Sequence, residues 1–325
     1  MIKGLIPRIG ISGWRYEPWR GTFYPAKLPQ KDELAYASRQ LNSIEINGSF
    51  YSLQRPSSWK NWYEETPPGF QFSIKGSRFI THIRRLNNID EPLANFFSQG
   101  FLALEEKLGP FLWQFPPNFQ FDGKRLEAFF EKLPRDTDVA VKLASQHSAF
   151  MKGRTFFQVK GHHALRHAIE IRHESFNNPE FIALLRRQNI GLVVADTAGK
   201  WPFLEDLTSD FVYARLHGDE VLYTSGYTTE ALDEWAKRIH AWQHGKEVSQ
   251  ARHASTVPAK RRKSRQVFVY FDNDVKVRSP FDAMALAEKS GGFVAEGEKQ
   301  VLSKAVKGAA REHWPAIRGP KSSKK

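Results

Sequence analysis

Residues Ser43 to Tyr51 read SIEINGSFY. Ile44 and Ile46 alternate with Glu45 and Asn47, and a period of two is the signature of a strand. Everything else depends on what Glu45 and Asn47 face. If they face water, the segment is an amphipathic edge strand. If they face an interior, that interior needs a carboxylate and an amide.

The surrounding chain decides the matter. Short apolar runs alternate with helical patterns, predicting strands at Arg8–Gly13, Ser43–Gly48, Phe70–Lys75, Phe111–Phe115, His167–Arg172, Gly191–Asp196, Phe211–His217 and Gln266–Asp272. Asn178-Pro179 and Ser279-Pro280 each offer an N-cap followed by a proline at the first helical position. Leu232, Trp235, Ala236, Ile239 and Trp242 recur at helical spacing after Thr228. A further segment, Thr137–Phe150, predicts an extra helix before the fifth strand, although VAVKL within it fits either state. TAGKWPFLEDLTS, between the sixth and seventh strands, is too short for a full crossover helix. Eight strand–helix units in this length predict an α/β fold, a (β/α)8 TIM barrel, whose usual size is about 250 residues. A doubly wound open sheet is the alternative, but no GxGxxG follows the first strand and no GxxxxGK occurs. We expect one barrel domain over residues 1–290, with a basic, flexible insertion at 245–265, and a basic extension at 291–325.

Barrel strands are buried on both sides, one row facing the helices and the other the axis. Glu45 and Asn47 are therefore expected to point inward. The same parity adds Gln71, Ser73 and Lys75 from strand three and Gln114 from strand four. Strand five, AIEIR, supplies Glu170 and Arg172, and strand six ends in Asp196. Strand seven contributes Tyr213, Arg215 and His217, and strand eight ends in Asp272, Asn273 and Asp274. Isolated charges in such an interior cost several kcal/mol, so a converging set points to a binding or catalytic site. A plainer reading of single pairs is structural, Glu45 with Arg215 or Glu170 with Arg172 or Lys75 as buried ion pairs. His217, followed by Gly218 and Asp219, is the leading acid/base candidate, with a satisfied core histidine as its alternative. The loop ISGWRYEPWRGTFYP carries Trp14, Tyr16, Trp19, Phe23 and Tyr24, either a plug for the barrel mouth or a stacking wall for a ring. His162, His163 and His167 read as surface residues.

The bulk numbers narrow the classes. The chain has 325 residues, no cysteine and a formal net charge of +13. Thiolate nucleophiles, thiolate metal sites and disulfides are excluded. No apolar run reaches the length of a membrane span, and the N-terminal residues lack a signal-peptide pattern, so a cytoplasmic protein is expected. The basicity is local. Residues 245–265 hold seven Lys/Arg against Glu247, and residues 297–325 hold eight against Glu298 and Glu312. Both segments follow helices, which places them at the end of a barrel opposite its catalytic mouth. They are expected to be solubilising extensions or nonspecific nucleic-acid contacts through 246–265 and 297–325.

The stretches GISGWRYEPWRGTFYP, EINGSFY, FQFSIKGSRFITH, LGPFLWQFPPNF, AIEIRHESF, VYARLHG and VFVYFDND, in this order, resemble the domain-of-unknown-function 72 family, also called YecE-like proteins. The resemblance implies a TIM barrel and a cytoplasmic prokaryotic protein, and it implies no particular reaction. Two departures stand out. The family's last strand reads closer to FNND, followed by an Asn-Ala pair in the next helix, whereas this chain has Asp272 and Asp282 at those places.

The expected function is an enzyme, a hydrolase or lyase, acting on a small phosphate-bearing or ring-containing substrate at the carboxyl ends of the strands. Glu45, Glu170 and His217 are its catalytic candidates. Trp14, Tyr16, Asn47, Lys75, Gln114, Arg172, Asp196, Arg215, Asp272 and Asn273 are its substrate-binding candidates. A metal-dependent form would draw on Glu45, Glu170, Asp196, His217 and Asp272 to hold a divalent ion such as Mg²⁺, Mn²⁺ or Zn²⁺. A carbohydrate-active form would set two carboxylates across the mouth. A non-catalytic polyanion-binding protein built on the basic segments is the competing class.

Overall fold

A computed structural model describes residues 6–218, 222, 226–273 and 277–291. Its eight strands are β1 (Arg8–Ser12), β2 (Ser43–Ile46), β3 (Gln71–Lys75), β4 (Leu108–Gln114), β5 (His167–Glu170), β6 (Gly191–Asp196), β7 (Phe211–Leu216) and β8 (Gln266–Phe271). All neighbours pair in parallel, in sequence order, and β8 closes on β1. The (β/α)8 expectation therefore holds. Closure requires β1 and β2 to approach closely at Gly10, where an added Cβ would lie 1.8 Å from the Ser43 carbonyl oxygen.

The helices among the described residues are α1 (Glu33–Gln40), α2 (Gly48–Tyr51), α3 (Pro56–Glu65), α4 (Asp90–Ser98), α5 (Gly123–Lys132), α6 (Thr137–Ala144), α7 (Pro179–Arg187), α8 (Thr229–Gln243) and α9 (Ser279–Lys289). α6 is the extra helix before β5. It is shorter than expected, and its start is set by Asp136, whose side chain accepts a hydrogen bond from Val139 N. Asn178 caps α7 as expected. Ser279 does not cap α9; its hydroxyl is turned instead to Asn273 Oδ1, at 2.9 Å.

Two apolar layers hold the structure. The larger lies between strands and helices and includes Ile44, Ile46, Trp113, Ile169 and Trp242. The smaller fills the axis with Leu112, Ala168, Val193, Ala195, Phe211, Tyr213, Phe268 and Tyr270. Each fully buried large side chain contributes about 1.5–3 kcal/mol. His167 belongs to the outer layer, not to the surface as its spacing suggested. It has no exposed area, stacks on Phe111, and accepts from Trp113 Nε1 at 3.2 Å through Nδ1. Its Nε2 donates to the Pro134 carbonyl at 2.8 Å. Burial pushes its pKa down to about 3, so it stays neutral.

No helix joins β6 to β7, as the short link predicted. The flank of this link is covered by the basic insertion, which is fastened to it. Glu205 N donates to Arg252 O at 2.7 Å, and the Asp206 carboxylate accepts from Ala254 N and Ser255 N at 2.7 and 3.2 Å. Arg186 Nη1, at the end of α7, reaches Val257 O at 2.7 Å. The basic extension, from residue 292 onward, lies outside the described residues, as does Asp274.

Candidate functional site in the barrel mouth

The inward rows of β1, β2, β5, β7 and β8 bring a cluster of charges to the carboxyl-terminal half of the barrel. Arg215 is its hub. Its Nε and Nη2 grip both oxygens of Glu45, at 3.1 and 2.8 Å. Its Nη1 donates to Glu170 Oε2 at 2.7 Å, and Nη2 also reaches Asp272 Oδ2 at 2.8 Å. Glu45 takes two more donors, Ser12 Oγ at 2.8 Å and the Tyr213 hydroxyl at 2.5 Å. Glu170 Oε1 accepts from Arg172 Nε at 2.8 Å, and Arg172 Nη2 extends to Gln114 Oε1 at 3.0 Å. His217 Nε2 faces Arg215 Nη1 at 3.3 Å and its Nδ1 faces Asp272 Oδ2 at 3.1 Å. A guanidinium only donates, so Nε2 is the acceptor and the histidine proton sits on Nδ1, towards Asp272.

Charge and burial set the protonation states. Burial alone would lower the Arg215 pKa, but Glu45, Asp272 and Glu170 outweigh it and hold the guanidinium well above its ordinary value. Burial would raise Glu170 and Asp272. Arg215, with Arg172 and His217 beside Glu170 and with His217 beside Asp272, instead keeps both carboxyls well below the usual range. Burial and then Arg215 push His217 down, against the pull of Asp272. Glu170 and Asp272 are thus anionic and His217 is neutral near pH 7.

Lys75 differs from all of these. It ends β3 on the inward row, is 7 % exposed, and its Nζ lies 4.6 Å from the centre of the Phe50 ring. Among the described residues its ammonium has no hydrogen bond and no ion pair. Burial first, and Arg215 second, lower its pKa from 10.5 to about 8, against the opposing pull of Asp272, Glu45 and Glu170. Roughly a tenth of Lys75 is then neutral amine at pH 7, against roughly one part in three thousand for an ordinary lysine. The backbone beneath is pinned, since Ser49 Oγ donates to the Lys75 carbonyl at 2.7 Å.

The site therefore has two tiers. Glu45, Glu170, Arg215 and His217 are fully buried and bonded to one another. Above them Lys75, Arg172 and Asp272 keep contact with solvent, the last two with 11 % and 15 % of their side chains exposed. The guanidinium carbon of Arg172 lies over Trp201, 3.9 Å from the ring centre. Asp272 Oδ1 has no partner among the described residues. The expected catalytic trio of Glu45, Glu170 and His217 falls in the lower tier, and several expected binding residues form the rim.

Other candidates are placed elsewhere. Asp196 leaves the axial set because Val193 and Ala195 form the inward row of β6. Its carboxylate accepts from the Tyr227 hydroxyl at 3.0 Å, on the wall of a cavity of about 570 Å³ lined also by Trp235, Arg238 and Arg252. Asn273 points to α9, donating to Asp282 Oδ2 at 3.0 Å. Trp19, Phe23 and Tyr24 are buried in the layer between strands and helices, where Phe23 packs against Tyr36 of α1 and Phe281 of α9. Trp14, Tyr16 and Asn47 line a separate hollow of about 300 Å³ with Tyr51, Gln54 and Trp62. Five proposed metal ligands are not presented to one ion, since Arg215 occupies the carboxylates' facing oxygens. The one group of clustered ligand atoms among the described residues is Asp136, Asp138 and His162, two of them exposed.

Sequence parity missed the groups carried between the strands. His82, in a π-helical turn over Phe79–Ile83, packs edge-on against Phe50 at 5.1 Å. Burial, then Arg172 and Lys75, lower its pKa to about 4. Phe50, Trp201 and Tyr227 likewise have no periodic signal that would mark them.

A sequence model described as "Protein of unknown function DUF72" matches residues 8–303. Among curated proteins, the UPF0759 protein YunF of Bacillus subtilis is 29% identical over 116 residues, covering 34% of this chain and 40% of YunF. The UPF0759 protein YecE of Escherichia coli K12 is 27% identical over 139 residues, covering 42% of this chain and 47% of YecE. The aligned stretches thus span less than half of either relative. Two solved DUF72 family proteins share the fold. One, from Thermotoga maritima, has a TM-score of 0.63 at 22% identity, covering 87% of this chain and 98% of that one. Another, from Enterococcus faecalis, has a TM-score of 0.61 at 15% identity, covering 89% and 97%.

Proposed function

This chain belongs to the DUF72 family, and from the geometry of its mouth we propose an enzyme of the hydrolase or lyase class acting on a small anionic substrate. One observation carries the reading. Above a network whose charges neutralise one another, the rim keeps an ammonium on Lys75 and a carboxylate oxygen on Asp272 that are unpaired among the described residues. Leaving such groups half-desolvated costs stability, and mouths of this fold accept that cost where substrate binds. Lys75 and Arg172 would receive a phosphate or carboxylate, Trp201 would bound a ring, and Asp272 Oδ1 would accept a hydroxyl or water proton. Arg215 and its buried partners would hold Asp272 in place.

A thermal-shift screen with sugar phosphates, small carboxylic acids and nucleotides tests this. Ligands that stabilise the wild type should bind Lys75→Met about 10–100-fold more weakly, the size of a lost charge-assisted hydrogen bond. Equal shifts in wild type, Lys75→Met and Asp272→Asn would overturn the reading. A glycosidase mechanism finds less support, because Glu45 and Glu170 are clamped to one guanidinium.

A second reading concerns the opposite face. Lys246, Lys260 and Arg261 are exposed around a hollow of about 550 Å³, with Glu247 as its single acid. We propose that this ledge binds polyanions such as nucleic acid without sequence preference. Substituting Lys246, Lys260 and Arg261 by alanine should weaken oligonucleotide binding and flatten its salt dependence by about one unit of slope per lost phosphate contact.

A further inference from the structure

Resting on the reading of the mouth as an enzyme site, we propose that Lys75 is a nucleophile that captures a carbonyl substrate as an imine. The substrate class is a small aldehyde or ketone carrying a carboxylate or phosphate.

The case is geometric. A lysine that only neutralises an anion is best left protonated and hydrated, whereas Lys75 Nζ is packed over Phe50 with no hydrogen-bond acceptor among the described residues. Its approach direction is set by the end of β3, locked through Ser49 Oγ to the Lys75 carbonyl and through Gly76 N to Leu112 O at 2.7 Å. Desolvation with no carboxylate in contact among the described residues raises the share of free amine, the form that attacks carbon. Arg172, held by Glu170 and Gln114 and backed by Trp201, offers the neighbouring rim position for the substrate's anionic group.

In the reaction the Nζ lone pair bonds to the carbonyl carbon as the C–O π pair moves to oxygen. The nitrogen loses a proton and the oxygen gains one, giving a carbinolamine. A second proton on that oxygen lets the C–O bond break and water leave. The resulting iminium carries the positive charge that the ammonium carried. Asp272, Glu45 and Glu170, which favour the ammonium, favour this cation in the same way. No oxidant or reductant is involved.

The test is reductive trapping. Full-length protein is incubated with glyoxylate, pyruvate or dihydroxyacetone phosphate, with propanal as an uncharged control, and sodium cyanoborohydride is added before peptide mapping. Lys75 should carry the adduct at about tenfold or more over any other lysine, as a partly neutral amine implies. Its rate should climb with pH and level off near pH 8, and the anionic probes should outpace propanal. The site-specific adduct should vanish in Lys75→Met, which keeps the apolar stem, and in Lys75→Arg. The carboxylate and phosphate probes compete to name the anionic group. Adducts spread over surface lysines, or none on Lys75 while the probes still give Lys75-dependent thermal shifts, would overturn the imine and leave the mouth an anion site. No adduct and no Lys75- or Arg172-dependent shift would overturn both.

Discussion

Arg215 and Lys75 are two buried cations in one barrel mouth, and they are built oppositely. Arg215 is surrounded by three carboxylates, all within 3.1 Å, while Lys75 touches an aromatic face. The first arrangement fixes a charge; the second loosens one. A group that cannot change its proton count makes a good scaffold, and one that can makes a good reagent. Buried charge alone therefore does not mark a reacting group. What matters is whether its partners are already supplied.

The comparison breaks most sharply at Arg215. Arg215→Met should lower stability by about 3–5 kcal/mol in urea unfolding, because Glu45, Glu170 and Asp272 would be left as uncompensated buried acids. A loss below about 1 kcal/mol would mean those acids relax or protonate freely, and the hub would lose its structural meaning.

Lys75 should behave in the reverse sense and depend on pH. Its folded pKa of about 8 lies below the ordinary 10.5, so the unfolded chain binds the extra proton between these values. Stability from this group is therefore lowest below pH 8, rises from about pH 8 to 10.5, and is complete above. The span is at most about 3 kcal/mol. Lys75→Met should exceed the wild type in stability near neutral pH, with the difference shrinking as pH rises through that window. A pH-independent difference would count against a desolvated lysine. On the acid side the signs invert. Glu170 and Asp272, held low, supply stability present above their unfolded values and lost as pH falls through the folded ones.

The smallest effect is expected away from the mouth. Asp282 is raised to about 6, chiefly by burial, despite its bond from Asn273 and nearby Arg278. Its contribution falls as pH rises from about 4 to 6. Asp282→Asn keeps an acceptor for Asn273 and Tyr227 N and should add about 1 kcal/mol at pH 7, with no change in substrate trapping at Lys75.

Much of this was legible in residue order. The alternation SIEI and AIEIR can be satisfied in a barrel only by turning the glutamates inward, and all eight strands stand where the apolar runs predicted. Depth along the axis was not legible. Parity says that Glu45 and Lys75 both point inward, but not that one lies beneath a guanidinium and the other above it. It failed at Asp196 because GLVVAD is apolar on both rows and carries no phase of its own. Asn273 departs from the inward row because β8 ends at Phe271, one residue before Asp272. His167 looked superficial because a histidine spacing says nothing about the Trp113 and Phe111 rings that enclose it. His82 and Phe50 sit in single short helical turns and Trp201 in an irregular link, all too short to show a period.

The fastening of residues 252–255 to Glu205 and Asp206 makes two irregularities of the chain into one. The link after β6 is short by a helix, and the link before β8 is long by a strap, and the strap lies where it buttons onto the bare link. Neither change stands well alone. Cutting out the insertion would uncover two buried acids, and adding a helix after β6 would leave the strap without its anchorage. The outer ring of this barrel is thus closed by lending, with one segment serving as wall for another that comes two strands earlier.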